Sequence, residues 1–260
     1  MRTDTAGLFE RIPALLPPGS KPAATADVKR LYSVIEGGPG NRPGVRRYSM
    51  LYANTVRVSR ALSLDEVLAI LESDLALYVA ERAPRRIFVH AGVVGWEGQA
   101  ILIPGSTLSG KTSLVSALLR AGATYYSDEY AVLDERGRVH PFPRPLSIRE
   151  KEGALSVKRA AVEFGARTGT KPIPVGLVAV TSYKEGARFR PRRLSEGRGI
   201  LELLANTVPV RRRPKTALAT LGRAVREVPI LKGVRGEADD AAKALLERLS
   251  AHLGSASQVE

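Results

Sequence analysis

An α/β fold, a mixed β-sheet flanked by helices, is predicted by three features of this 260-residue chain. The segment Ile101-Leu-Ile-Pro-Gly105-Ser-Thr-Leu-Ser-Gly110-Lys111-Thr112 passes from a short apolar run through a glycine-bounded loop into a helix-like stretch. Strand-like runs alternate with amphipathic helical runs on both sides of it, the pattern of a sheet covered by helices. A closing helix over residues 237–253 carries Leu245, Leu246, Leu249 and Leu253 on one face.

The elements follow in order. Residues 1–28 are rich in Pro and Ala without sustained period, and are expected to form a loosely ordered arm. Residues 30–36 read as a strand, and the breaker cluster 37–44 as a loop. Residues 46–52 and 55–59 alternate like strands around an Ala53-Asn54 turn. Ser63-Leu-Asp-Glu66 has the form of a capping box, opening a helix with Leu64, Val67, Leu68, Leu71, Leu75 and Tyr78 on one face. Residues 29–83 are thus expected to be a small β/α unit, and residues 84–260 the main domain.

In the main domain, residues 86–90, 93–96 and 99–103 are three expected strands, the last two joined at Glu97-Gly98. Residues 112–120 have helical spacing and stop at Gly122, a natural C-cap. Residues 124–127 and 130–133 are strands around the acidic pair Asp128-Glu129; a turn at 134–137 lets 138–140 pair back. Pro141 to Pro145 is an extended crossing, and residues 151–171 lack a period, as a mobile loop over the site would. A strand at 174–181, helices at 200–207 and 215–226, and a strand at 228–231 complete the order.

Composition removes several classes. No cysteine occurs, which excludes disulfides, thiolate metal centres and cysteine nucleophiles. The three histidines, His90, His140 and His252, are far apart, against a histidine-rich metal site. Residues 1–20 lack the basic start and apolar core of a signal peptide, and nothing approaches the ~18 apolar residues of a membrane span. A soluble cytoplasmic protein without membrane contact is expected. The net charge of +14 is mostly arginine, clustered at 144–149, 188–193 and 211–215. Three readings stay open: a GC-rich genome, an anionic substrate, or nucleic acid. Nucleic acid ranks last, because only Phe189 is interleaved with the clusters as a stacking platform.

The loop carries the chemistry. Gly105, Ser106, Thr107, Leu108, Ser109, Gly110, Lys111, Thr112 and Ser113 match and extend the pattern G-x-x-x-x-G-K-[ST]. Its glycines let backbone N–H groups turn around a phosphate, while the Lys111 ammonium reaches the β/γ-phosphates. The Thr112 hydroxyl meets Mg²⁺, and the helix N-terminus adds partial positive charge. Asp128 lies 17 residues after Lys111, one helix and one strand further on, where such a unit returns the chain beside the phosphates. A carboxylate there holds Mg²⁺ or takes a proton from an attacking hydroxyl.

From Val89 to Val132 the chain resembles the catalytic domain of HPr kinase/phosphorylase and its relatives among the phosphoenolpyruvate carboxykinase-like P-loop proteins. The resemblance rests on His90-Ala-Gly92, the loop at residues 105–112, and Asp128-Glu129 where the family has an Asp-Asp pair. It implies a P-loop kinase domain binding ATP and Mg²⁺, with Gly105, Ser106, Ser109, Gly110 and Lys111 on phosphates and Thr112 on the metal. Asp128 would be the base that deprotonates a substrate hydroxyl, Glu129 would support metal or substrate, and His90 would assist near the acid. Self-association is implied by the hexamers of that family. The arginine-glycine signature of phosphorylase chemistry is not evident; Arg144-Pro-Leu-Ser-Ile-Arg149-Glu150 stands in its place, offering arginines for the transferring phosphoryl group. The expected function is ATP-dependent phosphorylation of a hydroxyl, foremost serine, on a protein or peptide. The alternative is a nucleotide-binding regulator with a basic face for a partner or nucleic acid.

Overall fold

The computed structural model describes residues 1–256 except 5, 6, 23, 26, 38–45, 106–108 and 149–156. The chain divides into two units, Met1–Val79 and Ala80–Glu260.

In the first unit, β1 (Arg2–Thr3), α1 (Leu8–Leu15), β2 (Tyr32–Ile35), β3 (Ser49–Ala53), β4 (Val56–Ala61) and α2 (Leu64–Arg82) follow one another. The strands form a four-stranded sheet in the order β1-β2-β3-β4, with only the β1–β2 pair parallel. Asn54 turns between β3 and β4 with φ 54°, and its side-chain oxygen accepts from the Leu31 N–H at 2.9 Å. Val67, Leu68 and Leu71 of α2 pack with Val34, Leu51 and Leu8 in one apolar cluster. Residues 2–15, expected within a loose arm, therefore hold a strand and a helix, and Leu8 is buried. Eight helical residues interrupted by Pro13 are too short to leave a period in the sequence.

The second unit holds β5 (Ile87–Trp96), β6 (Gln99–Pro104), α3 (Lys111–Arg120), β7 (Thr124–Ser127), β8 (Tyr130–Leu133), β9 (Val139–His140), β10 (Leu146–Ile148) and β11 (Val157–Arg159). Then come β12 (Val175–Tyr183), β13 (Arg192–Arg193), α4 (Glu196–Ala205), α5 (Pro214–Ala224), β14 (Ile230–Arg235) and α6 (Ala238–Ala256). The main sheet runs β13-β14-β12-β6-β5-β8-β9, with β7 also paired to β5. It is mixed: β6, β12 and β14 are mutually parallel, whereas β5 is antiparallel to β6, β7 and β8. Alternation along β6 shows the layering. Ile101 and Ile103 pack with α3 and α6 on one face, and Ala100 and Leu102 pack with α4 and α5 on the other. The fold is α/β, with helices on both faces of a mixed sheet. No helix among the described residues is long and apolar enough to cross a membrane.

Three expectations are corrected. The two strands expected at 86–90 and 93–96 are one continuous strand, β5. Gly92 does not break it; a Cβ there would sit 2.5 Å from Val115 Cγ2, so glycine lets α3 close on the sheet. Helix α4 starts at Glu196 rather than 200, because Gly197 and Gly199 hide its beginning. Gly199 is held against Ile230 Cδ1, 2.1 Å from where a Cβ would lie. Residues 157–171 are not a loop throughout: β11 pairs with β10, residues 161–164 make a 3₁₀ turn, and Thr168 bridges Tyr125.

Candidate functional site

Strand β6 delivers the chain to Pro104, and the loop begins where Gly105 N–H donates to the His90 carbonyl at 3.3 Å. It ends at Gly110, the N-cap of α3, with φ 80°. That left-handed conformation suits glycine, and it turns the chain directly into the helix whose first residue is Lys111. The Lys111 ammonium reaches back across the loop and donates to the Gly105 carbonyl at 2.8 Å. That bond ties the first residue of α3 back to the end of β6, across the span of the loop. Ser106, Thr107 and Leu108 lie outside the described residues; Ser109 Oγ is buried without a hydrogen-bond partner among them.

The acidic pair enters from the opposite side. Between β7 and β8 the chain steps through Asp128-Glu129, and the step is fixed by Ser127. Its Oγ accepts from the N–H groups of Glu129 at 3.2 Å and Tyr130 at 3.0 Å. The Thr112 hydroxyl donates to Asp128 Oδ2 at 2.8 Å, tying helix α3 to the acidic step. Asp128 Oδ1 is buried and has no hydrogen-bond partner among the described residues. Burial pushes the Asp128 carboxyl up to about 7, helped by the neighbouring Glu129 charge and opposed by the Thr112 hydrogen bond and Lys111. Burial also lowers Lys111 from its usual value, against the pull of Asp128.

Glu129 takes a different partner. Its carboxylate pairs with the Arg144 guanidinium, whose side chain is 15% exposed and whose own carbonyl accepts from the Tyr125 hydroxyl. His90 sits opposite Tyr130 in the β5–β8 pairing, with ring centroids 4.6 Å apart. Burial and the Lys111 charge lower its pKa below 6.5, so the imidazole is neutral at pH 7. The sequence-derived set therefore meets around one loop: Gly105, Ser109, Gly110, Lys111, Thr112, Asp128 and His90 converge, with Glu129 next to Asp128 in the chain and paired with Arg144. Ser113 is exposed on the first turn of α3. Arg149 and Glu150 lie outside the described residues.

Thr112, Asp128 and Glu129 offer the oxygen donors a magnesium ion takes. Thr112 donates its proton to Asp128, leaving its oxygen lone pairs available, and the orphaned Asp128 Oδ1 is a further buried acceptor. These residues fit such an ion. No cluster of three or more His, Asp or Glu forms among the described residues, so phosphate oxygens and water would have to complete its shell.

Sequence reasoning missed Arg235. It ends β14, is 2% exposed, and donates to the Gly110 carbonyl at 2.7 Å. Nothing local marks one arginine among 40 basic residues as buried beside a loop 125 positions earlier. No protein-family model matches the chain, and no curated protein shows significant similarity to it.

Proposed function

We propose that this chain is an ATP-dependent kinase of HPr-kinase-like, P-loop type that phosphorylates a hydroxyl, foremost serine, on a protein or peptide. The observation that carries the reading is the Thr112–Asp128 hydrogen bond. It joins the residue that would meet Mg²⁺ to a buried carboxyl titrating near pH 7. A base with that value is half ionised at neutral pH, the range in which proton abstraction from a hydroxyl is most effective.

In this reading the loop N–H groups and Lys111 hold the β- and γ-phosphates of ATP. Magnesium, when bound at Thr112 with Asp128 or Glu129, would neutralise charge on the transferring group. Asp128 takes the proton of the acceptor hydroxyl as its oxygen forms a bond to the γ-phosphorus. The bond from that phosphorus to the β-bridging oxygen breaks, and ADP carries away its electron pair. Neutral His90 beside Lys111 adds no competing cation. Exposed Arg188, Arg190, Arg192 and Arg193 lie along the edge strand β13 and the segment before it, and suit an acidic stretch of the substrate.

The test is γ-phosphate transfer from ATP with Mg²⁺ to a panel of serine-containing proteins and peptides. Lys111→Ala should abolish nucleotide binding, whereas Asp128→Asn should keep binding and lose transfer. Wild-type protein that fails to bind ATP overturns the reading.

A further inference from the structure

Two flanks of the main sheet border the loop, and Asp128 occupies only one of them. Strand β6 stands between β5 and β12, and the Asp128 step lies on the β5 side, between β7 and β8. On the other side β12 and β14 run parallel to β6, so the carboxyl ends of all three strands lie at one edge. Open α/β sheets bind their ligands at that edge. Leu102 pairs with Val178, two residues before β6 ends and five before β12 ends, so β12 passes the start of the loop by three residues, about 10 Å. Two contacts join these longer strands to the loop. A Cβ on Gly110 would lie 3.7 Å from Tyr183 Cβ, and Arg235 Nη2 donates to the Gly110 carbonyl at 2.7 Å.

Beyond those strand ends the chain encloses a cavity of about 330 Å³, within the range of small-molecule sites. The segment after β12 folds over the end of β14. Lys184 N–H donates to the Arg235 carbonyl at 2.9 Å, and Ala187 N–H donates to the Lys184 carbonyl at 3.1 Å. Gly236 permits the crossing, since a Cβ there would lie 2.2 Å from the Ala187 carbonyl oxygen. Arg188, Phe189, Glu237, Asp240 and Ala244 line the cavity, and Phe189 also packs against the core. The lining thus sets one cation against two carboxylates, in a chain whose net charge is +14. Such a surface does not attract a bare anion. It suits a flat, neutral group that stacks on an aromatic ring and donates hydrogen bonds to carboxylates.

We propose that this cavity is the nucleoside subsite of the loop and takes a purine base. The inference rests on the nucleotide reading, in which the transferring phosphate faces Asp128. The other end of the phosphate chain then leads away from the β5 flank, toward β12 and β14. Two strand spacings, about 10 Å, separate β6 from β14, a distance that a nucleotide spans. The base stacks on Phe189, and its amino-bearing edge donates to Glu237 and Asp240.

Calorimetric titration of the intact chain in Mg²⁺ tests this with two probes, ATP and methyl triphosphate, which matches the charge of ATP but lacks the nucleoside. The proteins are wild type, Phe189→Leu, Asp240→Ala and Ala244→Trp, each checked for cooperative melting by circular dichroism. Wild type should bind ATP about tenfold more tightly than methyl triphosphate. Phe189→Leu keeps apolar bulk but loses the ring, and should weaken ATP binding about tenfold. Ala244→Trp fills the cavity and should have the same effect, while Asp240→Ala should weaken ATP about fivefold. Methyl triphosphate, which reaches only the loop, should stay within about twofold in all three variants. Asp240 is exposed and Ala244 half-buried on α6, so these two decide where Phe189→Leu does not fold. Wild type that binds methyl triphosphate as tightly as ATP overturns the subsite and leaves the phosphate loop standing. Variants that lose both probes equally, or neither, also overturn it. Wild type that binds neither probe refutes the nucleotide reading and the subsite with it.

Discussion

Replacing Asp128 with asparagine should remove phosphoryl transfer and at the same time stabilise the protein. Raising the carboxyl from 3.8 to about 7 corresponds to about 4 kcal/mol of ionisation penalty above pH 7, at about 1.4 kcal/mol per pH unit. Its folded value lies above its unfolded value, so the folded state holds the proton more tightly. Stability is therefore greatest at low pH and falls as pH rises from about 4 through 7. Asparagine never ionises, and it still accepts from the Thr112 hydroxyl. The attraction of Lys111 is already counted in that value, so the net gain at pH 8 should be about 4 kcal/mol, roughly 8–16 °C in Tm for a unit of this size. Thermal melts of wild type and Asp128→Asn across pH 4 to 8 read the effect directly. The gain should shrink on acidification and vanish near pH 4, where wild-type Asp128 is itself neutral. A variant that is less stable at pH 8, or a difference that does not change with pH, would refute the argument that this carboxylate is held against its solvation.

Other perturbations follow from the same geometry. Asp134 is the opposite case: burial would raise it, but hydrogen bonds from His140, Arg138 and Arg136 hold it at about 2. Its contribution is complete above the unfolded value and disappears as pH falls toward 2, so Asp134→Ala should lose about 2 kcal/mol at pH 7 and almost nothing at pH 2, read by urea titration. Gly137 has φ 79°, and a Cβ there would lie 2.7 Å from the Ala224 backbone nitrogen. Gly137→Ala should lose about 2–4 kcal/mol, whereas Gly98→Ala, at φ 77° in open space, should lose only about 1 kcal/mol. Arg144→Ala withdraws the cation from Glu129, whose charge already raises Asp128. The acidic limb of the kcat–pH profile should then move to higher pH, by about half a unit to one unit, with ATP affinity little changed. A limb that stays put, or moves down, would show that Glu129 does not act on Asp128 through charge.

How much of this was legible depended on whether the cause was local. The glycine-bounded loop, the strands at 124–127 and 130–133, and the helix between them announce themselves through turn residues and short-range pattern, and β7, β8 and α3 stand where those signals put them. The step at Asp128 was legible for the same reason. What failed depended on distant pairing. The continuity of β5 requires β6, β7 and β8 to be in place, and residues 157–171 owe part of their order to single bonds with Tyr125 rather than to any period of their own. The arginine clusters misled in a different way. Arg213 belongs to a run that reads as basic surface, yet its guanidinium clamps the carbonyls of Ala83, Pro84 and Arg86. A charged residue in sequence carries no mark of whether it faces solvent or holds a backbone together.

The same distinction explains where the structure departs from ordinary satisfaction. Six buried side-chain polar atoms lack a hydrogen-bond partner among the described residues, and three of them surround this one loop: Ser109 Oγ, Asp128 Oδ1 and Arg235 Nε. Native proteins seldom leave such groups orphaned, and each is unfavourable by itself. Stability alone would favour apolar replacements at Asp128 and Arg235, since a buried charge without a full partner contributes less than packed hydrocarbon of similar volume. In the proposed reading, an acid near neutrality, an arginine gripping a loop carbonyl and a buried hydroxyl prepare the site for a ligand that carries negative charge, accepts hydrogen bonds and brings its own cation. A ligand bound to this folded arrangement and not to the unfolded chain would raise the melting temperature with its concentration. In that reading, the unsatisfied polar atoms of residues 109, 128 and 235 are what binding would relieve.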